Sequence, residues 1–215
     1  MSELIMYQQS ATPSTPAASY VDLFVDNAST PTLKGVLPSG SLITMPRKNA
    51  STASVSAGYA SDTYLAGSSI AIPAGLWQAG TIYKCVFDMV KTAAGTAAFT
   101  VNVRMGTLGT TGDASVLSLA FASGTAAVDT GIFELWLNFR TVGSGTSAVV
   151  QGIIKCEHHL AATGLITTGA SGSGIILGTS SGFNSTTQTI IGLSVNGGAS
   201  FSGTNTLVQA ELNGS

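Results

Sequence analysis

Alternation with a period of two is the feature that most restricts this chain. In residues 82–90, IYKCVFDMV, Tyr83, Cys85, Phe87 and Met89 share one face while Lys84 and Asp88 share the other. Residues 99–105 set Phe99, Val101, Val103 and Met105 opposite Thr100, Asn102 and Arg104. Residues 132–140 set Phe133, Leu135, Leu137 and Phe139 opposite Glu134, Trp136, Asn138 and Arg140. Successive side chains of an extended strand point to opposite faces, so each segment has one face to bury and one to leave toward water. SVLSLAFA, SAVVQGIIKCEH, GLITTG, GIILGT, TQTIIGLSV and NTLVQAEL are further strand candidates.

Between these segments lie clusters of turn residues, among them KTAAGT, GTLGTTGD, VGSGTS and NGGASFSGTN. Short strands separated by Gly- and Ser-rich turns at near-regular spacing predict an all-β sandwich or barrel. About eight to ten strands are implied, the size of a jelly roll. No stretch keeps a helical apolar stripe for three turns, and the Gly, Ser and Thr content opposes one. The expected fold is therefore an all-β, jelly-roll-like antiparallel β-sandwich over residues 62–215.

The first 45 residues differ. YQQSATPSTPAAS reads as extended chain, and YVDLFVD, TLKGVL and LITM read as a small β-meander. Such a segment is too small to stand alone, so it is expected to dock on something as an attachment arm. Residues 46–61, PRKNASTASVSAGYAS, are small and polar and read as a linker.

Only 8% of the 215 residues are charged, against roughly 25% in an ordinary soluble domain. A surface so poor in charge suits a chain covered by partners, including copies of itself. The net charge is −2 and the basic residues are scattered, so the electrostatic footprint of a nucleic-acid binder is missing. No apolar run approaches the roughly 20 residues of a membrane helix, and MSELIMYQQS does not read as a signal peptide. The two cysteines, Cys85 and Cys156, are expected to be reduced and buried.

Three local patterns invite a chemical reading. GTLGTTG, Gly106 to Gly112, has loosely spaced glycines, but a phosphate cradle needs a helix after the loop, and SVLSLAFA reads as a strand. GTSSG, Gly178 to Gly182, places Ser180 as a nominal nucleophile. Its next segment, FNSTTQTIIGLSV, is polar and then β, whereas a nucleophile elbow requires a helix. Glu157, His158 and His159 form the only histidine cluster. Neighbours on a strand point to opposite faces, so one chain does not aim both imidazoles at one metal. A surface or subunit-interface pair that includes His158 is expected, the alternative being copies of one histidine converging on a threefold axis. No catalytic residue, cofactor or metal is assigned. Trp136, on the polar face of its strand, is a candidate subunit contact together with Arg140.

A resemblance runs through the same segments. YLAGSSIAIPAGLWQAGTIYKCVFDMVKTAAGTAAFTVNVRMGTLGTTGDAS, AAVDTGIFEL and HHLAATGL resemble a family of tailed-bacteriophage virion proteins, over most of residues 64–212. Its recurring turns correspond to Lys91 to Gly95, Arg104 to Thr107 and Gly109 to Asp113. ATPSTPAASYVDLFVDNASTPTLKGVLPSG resembles a module that begins phage fibre, spike and head-decorating proteins, with Ser19 standing where that module has Gly. The resemblance implies a structural component at the virion surface, a capsid decoration or head-fibre protein assembled as a homotrimer. Residues 1–45 would then anchor on the major capsid protein or another virion protein, through Tyr20, Leu23, Phe24 and Val25. Trp136, Arg140 and His158 would serve the subunit interface, with no direct contact to nucleic acid or membrane. The alternative is a tail-fibre or baseplate protein that recognises host glycans. An enzyme is not expected.

Overall fold

The computed structural model describes residues 8–9, 12–16, 22–26, 33–36, 40, 42–44, 47–53, 55–160, 162–167 and 172–213. The chain divides into two compact units, Met1–Lys48 and Asn49–Ser215. The first holds a four-stranded sheet of short strands, β1 (Gln8–Gln9), β2 (Asp22–Asp26), β3 (Leu33–Val36) and β4 (Leu42–Thr44). β1 runs parallel to β2, and the other pairs are antiparallel.

The next strands in the chain are β5 (Arg47–Ser51), β6 (Val55–Gly58), β7 (Thr63–Tyr64), β8 (Ile70–Ile72), β9 (Ile82–Lys91), β10 (Ala98–Gly106) and β11 (Ala114–Ser123). After them come β12 (Asp129–Thr141), β13 (Val149–His158), β14 (Ser173–Thr179), β15 (Thr189–Asn196), β16 (Gly203–Asn205) and β17 (Val208–Asn213). They build two antiparallel sheets. One runs β11-β10-β15-β7, with β8 also on β15. The other, of eight strands, runs β14-β13-β12-β9-β16-β6, with β17 also on β9 and β5 on β17. The described residues contain no helix, and the fold is an all-β sandwich.

The faces expected to turn inward are the buried ones. Tyr83, Cys85, Phe87 and Met89 of β9, Phe99, Val101 and Val103 of β10, and Phe133, Leu135, Leu137 and Phe139 of β12 are all fully buried. Phe133 sits at the centre, its ring 4.9 Å from Phe87, 4.8 Å from Phe99 and 5.7 Å from Phe121. Burying such a side chain contributes roughly 1.5–3 kcal/mol. Trp77, ahead of β9, is buried with its ring 4.2 Å from that of Phe139. Where β11 closes over the eight-stranded sheet, Leu117 and Leu119 rest on Gly152 and Gly178. A Cβ at Gly152 would lie 2.7 Å from Leu117 Cδ2, so a larger residue there would push the leucine tips aside.

Two expectations from the sequence are corrected. Residues 46–61 are not a free linker, because β6 pairs with β16 and Tyr59 is buried with its hydroxyl bonded to Asn205. Small residues suffice for an edge strand, which is held by its backbone and one large side chain. Residues 164–167, the described part of GLITTG, are not strand either. Leu165 and Ile166 are buried in a loop that turns at Gly164, where φ is +98°. The apolar pair signals burial correctly but not the backbone conformation.

Cys85 and Cys156 are free and buried. β12 lies between their strands, so they cannot bridge. Burial pushes both thiols up to about 12. A thiol reagent at pH 8 is expected to label neither in the native protein and both after denaturation. Stoichiometric native labelling would contradict this packing.

Candidate functional site

The outer face of the eight-stranded sheet presents the side chains that β9, β12, β13, β14 and β17 do not bury. Register aligns them in rows. Glu211, Lys84, Trp136, Ile153 and Leu177 form one row across five strands. Gln209, Val86, Glu134, Lys155 and Ile175 form the next. Ile132 lies between Asp88 and Glu157 in a third. Trp136 is 44% exposed and Leu177 is 65% exposed, and Ile132, Ile153 and Ile175 are exposed as well. Lys84 Nζ stands 4.7 Å from the Trp136 ring centroid, within cation–π range. Lys155 pairs with Glu157 at 2.5 Å. A shallow cavity of about 310 Å³ opens beside Trp136, floored by Gly152 and edged by Ile82, Asn138, Gln151 and Leu177.

Trp136 therefore stands where the sequence placed it, and Arg140 is exposed at the end of the same strand. The isoleucines and Leu177 were missed. Their signal was available in the adjacent apolar pairs Ile153–Ile154 and Ile175–Ile176, since two neighbours on a strand cannot both face the core.

His158 is a correction. It is not a surface or interface residue, because its side chain is buried with Nδ1 2.6 Å from Asp129 Oδ2. Inward alternation along β13 carries it into a polar latch. Asp129 Oδ2 also accepts the Leu165 N–H at 2.9 Å, and Oδ1 accepts those of Thr130 at 2.8 Å and Leu160 at 3.1 Å. Buried Lys91 donates to the carbonyls of Thr125 and Gly164. Burial alone would raise the Asp129 pKa, but the Leu165 N–H, His158 and the Thr130 and Leu160 N–H groups together hold it below the usual value. Burial lowers the Lys91 pKa, and Asp129 opposes that. The latch pins Leu160, Gly164 and Leu165 to the ends of β9 and β12.

Of the four anchor candidates, Leu23 is exposed. Phe24 is a second correction: it is 3% exposed, so its ring is committed within the chain and is not offered to a partner. Val25 lies in β2 opposite Leu33, its side chain outside the described set, and Tyr20 lies outside the described residues.

The glycine loop between β10 and β11 already holds an anion. Asp113 accepts the N–H groups of Leu108 at 3.0 Å and Gly109 at 2.7 Å. Arg104 ties the loop down through the carbonyls of Thr111 and Asp113, and it also bonds Ser194 Oγ and Asp62. Ser180 Oγ accepts the Val150 N–H at 2.9 Å, a structural bond between β13 and the end of β14. Among the described residues no three His, Cys, Asp or Glu side chains are grouped to hold a metal.

No protein-family profile matches the chain, and no curated protein matches it. Among solved structures, it aligns with a β-fructofuranosidase from Schwanniomyces occidentalis in complex with fructosyl-erythritol. Identity is 8% and the TM-score 0.23, over 90% of this chain and 40% of that one. It also aligns with a β-1,3-glucanase from Mycobacterium marinum at 9% identity and TM-score 0.18, over 77% of this chain and 91% of that one. The chain thus spans less than half of the fructofuranosidase.

Proposed function

We propose that this chain is a structural protein of a bacteriophage virion, which decorates or cements the capsid as a homotrimer at capsomer junctions. The observation that carries this reading is the division into a small unit of short strands, Met1–Lys48, and a separate sandwich, Asn49–Ser215. A sheet with strands of two to five residues is marginal on its own and gains stability by docking. The sandwich supplies a rigid body. Such a protein works by binding: it buries surface across a junction between capsid subunits and so opposes their separation. The turn motifs at Lys91 to Gly95, Arg104 to Thr107 and Gly109 to Asp113 support the virion assignment.

Capsids stripped of the protein are expected to lose resistance to heat, and adding it back is expected to restore it. Equal stability with and without the protein would reject the cement role. Within this reading Leu23 is an anchor contact. Burying one leucine is worth roughly 1.5–3 kcal/mol, so Leu23→Asp is expected to weaken capsid binding at least about tenfold. Co-sedimentation with capsids measures this.

A further inference from the structure

We infer that copies of this chain meet through the outer face of the eight-stranded sheet, three of them turning that face toward a shared axis. The number three rests on the homotrimer reading above, whereas the choice of face stands on its own.

The distribution of charge points to this face. The sandwich unit contains twelve charged side chains. Five of them, Asp62, Lys91, Arg104, Asp113 and Asp129, are spent inside the unit, where they hold loops or each other. The other seven, Lys84, Asp88, Glu134, Arg140, Lys155, Glu157 and Glu211, all project from the outer side of the eight-stranded sheet. The rest of the unit's surface is neutral. Selective recognition needs either charge or apolar bulk, and this face concentrates both: Ile132, Trp136, Ile153, Ile175 and Leu177 stand among those charges. An exposed apolar patch of this kind marks an interaction surface.

The balance of signs selects the partner. Asp88 is occupied by Thr206 and the Leu207 N–H. Lys155 and Glu157 are paired with each other, which leaves two cations, Lys84 and Arg140, against two anions, Glu134 and Glu211. A polyanion such as nucleic acid, or an anionic lipid surface, is held by an excess of positive charge, which is lacking here. A second copy presents the same neutral set, so each acid can find a base across the contact while the apolar side chains are covered. Strands about 4.8 Å apart and a rise of about 3.3 Å per residue make the face roughly 20 by 26 Å. That is about 500 Å² of flat area per copy, to which protruding side chains add.

Sedimentation velocity of the full chain tests this. The wild type is expected to run as a trimer. Trp136→Asp and Leu177→Glu, both at exposed positions, are each expected to run as a monomer at the same concentration while keeping the wild-type circular dichroism spectrum. Leu108→Glu, at an exposed leucine on the β10–β11 loop, is expected to remain trimeric. A dimer abolished by the two face variants would keep the face and overturn the homotrimer reading. A monomeric wild type, or a trimer that survives both face variants, would overturn the inference.

Discussion

Phe133→Ala is expected to lower the free energy of unfolding by about 3–5 kcal/mol, the range for removing a fully buried aromatic ring. Phe133 is at the upper end because its surroundings cannot collapse. Its ring is stacked on Phe87 from the same sheet with an interplanar angle of 4°, and it meets Phe99 and Phe121 from the opposite sheet. Those three rings are fixed to three different strands, so the cavity stays open. Urea denaturation followed by circular dichroism measures the loss. Strands should persist in the variant, since the backbone ladder from β9 to β13 does not depend on the ring. A loss below about 1 kcal/mol would mean that the two sheets do not pack through this residue.

Asp129→Asn is expected to cost about 1–3 kcal/mol, the range for leaving buried hydrogen-bonding groups without a partner. The asparagine has nearly the same shape, so the change isolates chemistry from packing. Both carboxylate oxygens accept N–H donors: Thr130 and Leu160 at Oδ1, Leu165 and His158 at Oδ2. Whichever way the amide turns, its NH2 faces a donor, and Lys91 loses its nearby counter-charge. The pH dependence has a definite sign. Because the folded-state pKa of Asp129 is lowered, the unfolded chain binds the proton more readily. The stabilisation is fully present above the unfolded value of about 3.9 and is lost as pH falls through the lower folded value. Wild-type stability should therefore fall on acidification below about pH 4, and the variant should lack this component. Equal acid sensitivity in both proteins would contradict the latch.

The core was legible because alternation is a local signal: Phe99, Val101 and Val103, or Phe133, Leu135 and Leu137, name their own face without knowledge of a partner strand. The latch was not legible. Lys91, Asp129 and His158 are far apart in sequence and come together only when β9, β12 and β13 are paired, so His158 read as a surface residue. Small-residue strands such as Val55–Gly58 were hidden for a different reason. Their pairing depends on backbone groups, which every residue carries alike. The apolar patch on the outer face of the eight-stranded sheet was half legible. Trp136 stood out against a polar face, whereas Ile153 and Ile175 looked like ordinary members of apolar runs until register placed them beside it.

Imaging tests most directly whether this chain is a capsid-bound virion protein anchored through its N-terminal unit. Electron microscopy of virions carrying a labelled copy of the chain is predicted to show the label on the head, at junctions between capsomers and in groups of three. Label confined to the tail, or virions without the chain, would contradict it.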